Sequence, residues 1–149
     1  MTSLFLLSFF GAIISAVIGT IWYSSVTPMG KVYMEYLGFN KLSKEEQEKK
    51  IKEMKPKMPK MYLAQIGLSL LTSFATVFIV GMSMGNGMPF FMALGFVVMN
   101  WLCFMVPVIG SNLLWGNCDR KIVWKRFFSE IFANLLTIVI IAYITSFFV

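Results

Sequence analysis

Histidine is absent from this 149-residue chain, cysteine occurs twice, and seven acidic residues face 13 basic ones. Without an imidazole, hydrolase and oxidase chemistry loses its usual general base and its commonest metal ligand. Cys103 and Cys118 stand far from any Cys-x-x-Cys spacing, which removes thiol-oxidoreductase and zinc motifs and leaves a structural disulfide unexpected. The basic residues interleave with glutamates and bring no stacking platform, so nucleic acid is not an expected partner. Charge itself is scarce: 13% of residues are charged and 58% hydrophobic. A soluble domain carries about 25% charged residues, and so small a body cannot hide this much apolar surface from water. A water-soluble globular fold is excluded, and lipid is the expected solvent.

What is present is organised by the placement of charge. Residues 1–30 and 61–118 contain no charged side chain at all. A helix rising about 1.5 Å per residue needs about 20 apolar residues to cross the hydrocarbon layer. The first gap therefore holds one span, the second holds two, and a fourth apolar stretch closes the chain. The expected spans lie at about residues 4–24, 62–84, 88–114 and 127–148. Gly85-Asn86-Gly87 followed by Pro89 predicts a tight hairpin between spans two and three. The expected fold is all-α: a single membrane domain, 1–149, forming a four-helix transmembrane bundle.

All 13 basic residues fall in two places, the connection 25–61 and the segment 119–126. Four spans put both at the same end of the bundle. Basic loops stay on the cytoplasmic side, which predicts a multi-pass protein of the cell membrane with both termini outside. No basic residue precedes the first apolar run, and Trp22 and Tyr23 look like an interfacial anchor, so residues 1–24 read as a retained span rather than a cleaved signal. Within the long connection, Ser43 and Glu46 have capping-box spacing and predict a short amphipathic cytoplasmic helix between spans one and two. Glu45 with Lys49, Glu46 with Lys50 and Glu48 with Lys52 support it at the favourable spacing of four. Pro56 and Pro59 are expected to stop it. The helix either rests its lysines on anionic headgroups or serves as a solvated linker that fixes topology.

The first span ends in Gly19-x-x-Trp22-Tyr23-Ser24, then come Pro28, Gly30-Lys31, aromatic residues and Gly38. This pattern resembles the opening signature of the domain of unknown function 1761 family, small four-span membrane proteins of bacteria and fungi. Tyr33 stands where that signature carries Trp, and the Lys-rich residues 41–60 are longer than its usual connection. The resemblance implies a fold and a membrane location and brings no activity with it. Physically, the aromatics suit the headgroup level, and Pro28 with Gly30 suits a turn that lays the chain along the surface.

Small residues predict close helix contact. Gly11, Ser15 and Gly19 are four apart, with Ala12, Ala16 and Thr20 in the next row, and Gly81 and Gly85 repeat the spacing in span two. Such faces serve packing within one bundle or a homo-oligomer. The candidate polar site lies in the cytoplasmic half: Tyr23, Gln65, Asn112, Glu130 and Asn134, with Asn100 deeper. Glu130 is either a cation, proton or headgroup site, or the partner of Lys125, Arg126 or a connection lysine. Met82, Met84, Met88 and Met92 cluster near the hairpin, and soft thioethers suit Cu(I), but no His or Cys joins them. No metal, cofactor or catalytic constellation is expected. Two functions remain: a small transporter or permease-like protein using the polar site, or a structural or regulatory membrane subunit, in either case with membrane lipids as partners.

Overall fold

A computed structural model describes residues 2–114 and 119–149. The described chain is almost wholly helical, in the order α1 (Thr2–Trp22), α2 (Pro28–Tyr36), α3 (Lys44–Met54), α4 (Met58–Gly85), α5 (Phe90–Asn100), a π-helical turn (Trp101–Met105), α6 (Val106–Leu114) and α7 (Arg120–Thr145). Among the described residues four stretches are long and apolar enough to cross a membrane: Leu4–Trp22, Met58–Gly85, Phe90–Leu113 and Arg120–Thr145.

Two spans reach further into the charged connections than hydropathy implies, and local chemistry explains both. Pro56 sits in a 3-10 turn (Lys55–Lys57) that ends the α3 direction. Pro59 instead opens α4, where its missing N–H has no helical partner to lose. Asp119 accepts from the Lys121 amide at 2.9 Å and caps α7 at Arg120, so the basic segment becomes the first two turns of the last span. The third span carries the π turn. Pro107, just beyond it, has no N–H to offer the carbonyl four residues back and its ring crowds that carbonyl, so the helix widens there.

Helices α4 and α7 touch along the middle of the bundle; α1 packs on one side of that pair and α5 on the other. The core joins Val80, Val97, Ile138 and Ala142, with Met84, Leu94 and Trp101 against it. Phenylalanines such as Phe5, Phe9, Phe91 and Phe104 point outward, the arrangement of a bundle solvated by lipid. The α1–α4 contact is close because it is built from small residues. A side-chain carbon added at Gly11 would overlap Ser73, and the Ser15 hydroxyl donates to Ser69 Oγ at 3.3 Å. Gly81 lies under Leu4, whereas Gly19 and Gly85 face open space, so close approach is confined to the Gly11–Ser15 turn and the Gly81 end.

At the hairpin Gly87 adopts φ +80, and its amide donates to the Met84 carbonyl at 2.8 Å. Met84 packs inward while Met82, Met88 and Met92 are exposed, so the four thioethers do not converge. Cys103 is free and exposed, and Cys118 lies outside the described residues.

Candidate functional site

The charged end of the bundle is assembled by the segment after α1. Tyr23 closes the last turn of α1 through its amide, and Thr27 then does most of the local work. Its hydroxyl donates toward the Trp22 and Ser24 carbonyls at 2.7 and 2.9 Å, and its oxygen accepts from the Gly30 amide at 3.0 Å. With Thr27 as cap and Pro28 in the first turn, the stretch expected to be only a surface turn forms the nine-residue helix α2. Gly30 is buried against the end of α1, and a side chain there would overlap the Ser24 carbonyl, which fixes the angle between α1 and α2. Gly38 at φ +76 turns the chain out of α2.

So directed, α2 lies on the first half of α7. Trp22 Nε1 donates to Ser129 Oγ at 3.0 Å and its ring stacks on Phe132 at 5.7 Å. Tyr23 and Tyr33 meet at 5.3 Å. The Arg126 guanidinium lies 3.8 Å from the Tyr36 ring centre and 5.3 Å from that of Tyr33, and its Nε donates to Glu130 Oε1 at 2.5 Å. Arg126 is thus held on two aromatic faces and by one carboxylate, a combination that suits a planar, weakly hydrated cation. Both side chains of the pair are about four-fifths buried, at 20% and 18% exposure. Tyr23, one residue past its span, has its phenol pushed up to about 12, first by burial and then by the nearby Glu130 carboxylate, with Arg126 opposing. It remains a neutral hydroxyl at physiological pH.

The other candidate residues are dispersed. Asn134 turns its amide back to the Glu130 carbonyl of its own helix at 2.8 Å. Gln65 and Asn112 are exposed on the outer faces of their spans. Asn100 lies apart, beside Trp101 at the π turn. Of the signature residues, Trp22, Tyr23, Ser24, Pro28 and Gly30 build the α1–α2 joint and Gly38 the exit from α2, while Gly19 faces open space and Lys31 is exposed. Tyr36 and Ser129 were not singled out from the sequence, and Tyr33 stood out only as the place where the signature carries Trp. The three-residue spacing of the tyrosines, one helical turn, is the signal that could have found them once α2 is recognised as a helix.

Farther along the connection, Ser43 and Glu46 form both bonds of the capping box, 2.8 Å from the Ser43 amide and 3.3 Å from the Glu46 amide. Lys50 leaves the expected Glu46 pairing: its ammonium donates to the Leu37 carbonyl at 3.0 Å and sits 4.9 Å from the Phe39 ring centre. Gln47 donates to the Phe39 carbonyl at 2.9 Å, so α3 is folded back on the end of α2. Among the described residues Arg126–Glu130 is the only ion pair, and no group of three acidic or cysteine side chains gathers as a metal site.

No curated protein and no solved structure matches the chain. A family model does, the protein of unknown function DUF1761, over residues 6–146, nearly the full length. The four apolar spans and the aromatic joint after the first of them are therefore features of a member of the DUF1761 family, to which this chain belongs.

Proposed function

We propose that the chain is a structural or regulatory subunit of the cell membrane that works by helix association, with neither transport nor catalysis of its own. The observation that carries this reading is the state of Glu130. It is the only acidic side chain in any span, and it is bonded to Arg126 on the same helix beneath Tyr33 and Tyr36. A permease working through that carboxylate needs it to face a hydrated passage, and this one is already neutralised and covered. The clustering of all basic residues at the α2 end supports a cytoplasmic placement for that end, with both termini outside.

A second feature favours association. Beside α1 runs an apolar groove of about 430 Å³, lined by Ala12, Ala16, Val17 and Thr20 with Ile66 and Leu70 of α4. Its small-residue row lets another spanning helix approach closely, and the occupant we propose is a second copy of the chain. In a background with both native cysteines replaced by serine, Ala16→Cys should then give a disulfide-linked dimer in membranes and Phe104→Cys should not. Equal or absent cross-linking removes the dimer. The rival permease reading is tested by flux: proteoliposomes holding the protein should keep imposed proton and potassium gradients as long as empty liposomes. A protein-dependent leak that Glu130→Gln abolishes overturns the subunit reading.

A further inference from the structure

A second cavity, of about 270 Å³, lies between α4, the π turn and α7, distant from the charged end. Its walls are mostly apolar, from Ile79, Val97, Met105 and Ile138, but Asn100, Trp101, Thr72 and Thr76 also line it. Asn100 is ten residues from the start of α5 at Phe90, about 15 Å along the helix. The polar groups therefore sit near the middle of the hydrocarbon layer.

Their hydrogen bonds are incomplete. The Thr72 and Thr76 hydroxyls donate to the carbonyls of Leu68 and Thr72, at 3.1 and 2.9 Å, which leaves their oxygens as acceptors. The Asn100 amide makes no hydrogen bond among the described residues and lies on the wall of the crevice, whereas Trp101 Nε1 is unpartnered but covered by protein atoms. An unpaired amide in an apolar medium is costly, and one on the wall of a crevice at a widened helical turn calls for an external partner. The unmet demand is chiefly for an acceptor. The direction of access follows from the mouth of the cavity, which is bounded by Leu71, 68% exposed, and Ala75, also exposed, on the flank of α4 that meets lipid. No charged side chain lines it.

We propose that this crevice binds the compact head of a neutral, lipid-soluble molecule, whose carbonyl or hydroxyl oxygen accepts a hydrogen bond from the Asn100 amide while its hydrocarbon tail leaves between Leu71 and Ala75. An anion or a cation finds no counter-charge there. A wholly apolar chain fills the volume but leaves the Asn100 amide unpaired.

The test uses the full chain in lipid nanodiscs, with isotope-labelled side-chain amides observed by NMR. The Asn100 signal is identified by its loss in Asn100→Leu. Three probes of similar chain length are added: decylubiquinone for a carbonyl head, dodecanol for a hydroxyl head, and dodecane with no oxygen. A saturable shift of the Asn100 amide signal with decylubiquinone or dodecanol, at least threefold larger than with dodecane, is the expected result, and the stronger oxygenated probe identifies the head chemistry. Ala75→Phe, placed at the exposed mouth and away from the polar groups, should weaken that binding at least fivefold. Equal shifts with dodecane, no shift with either oxygenated probe, or undiminished binding to Ala75→Phe overturns the proposal.

Discussion

Gly30 exemplifies how much one residue decides here. Its neighbour across the joint is the Ser24 carbonyl, which already accepts from the Thr27 amide and hydroxyl, both at 2.9 Å, and has little room to move. Gly30→Ala should therefore cost about 1–3 kcal/mol, the usual range for forcing volume into a filled site, and should loosen α2 from α7. Gly19→Ala, where nothing lies within reach, should stay within about 0.5 kcal/mol. Reversible unfolding in mixed micelles checks both, and equal effects would remove the joint from the explanation of the signature. Sequence spacing could not separate these two glycines, because each occupies a signature position. What separates them is which backbone passes overhead, a tertiary fact. The Glu130 partner was legible as far as a choice among nearby cations; the selection of Arg126 depends on Tyr33 and Tyr36 supplying two ring faces that suit a guanidinium better than an ammonium.

Among elements, the membrane spans were readable because lipid imposes a length and a composition that few other contexts share. Helix α3 was readable because a capping box is a local device, whose two bonds join residues three apart. Helix α2 was hidden behind its Pro and Gly, which at its N-terminus open and seat a helix rather than forbid one. The π turn was hidden for a related reason: Pro107 announces a disturbance but not whether the helix kinks, breaks or widens. The capping box also predicts a pH dependence. The Ser43 amide, then its hydroxyl, holds the Glu46 carboxyl below its ordinary 4.5. A lowered value means the bond stabilises the folded helix fully above 4.5, and that stabilisation is lost as pH falls through the folded value. The Ser43 amide resonance should follow that titration with a midpoint under 4.5 and lose it in Glu46→Gln. A midpoint at or above 4.5 would mean that the reciprocal bond does not form in solution.

Over the whole molecule, charge and packing divide the bundle into two ends with different chemistry. One end carries α2, α3, the Arg126 clasp and every basic residue; the other carries the uncharged hairpin and both termini. The small-residue seam of α1 and α4 and the core around Val80 and Ala142 join the ends without a charged side chain among them. If the basic end faces the cytoplasm, the clasp anchors α2 at the inner headgroups, where Trp22 and the connection lysines find their preferred level. The orientation on which this rests can be measured directly, in a background with Cys103 and Cys118 replaced by serine. A cysteine at Asn86, in the hairpin, should react with a membrane-impermeant maleimide in intact cells, and a cysteine at Lys50, in α3, should react only after permeabilisation. Labelling of Lys50→Cys in intact cells with Asn86→Cys protected would contradict it, and would put the Arg126 clasp and its lysines on the outer face.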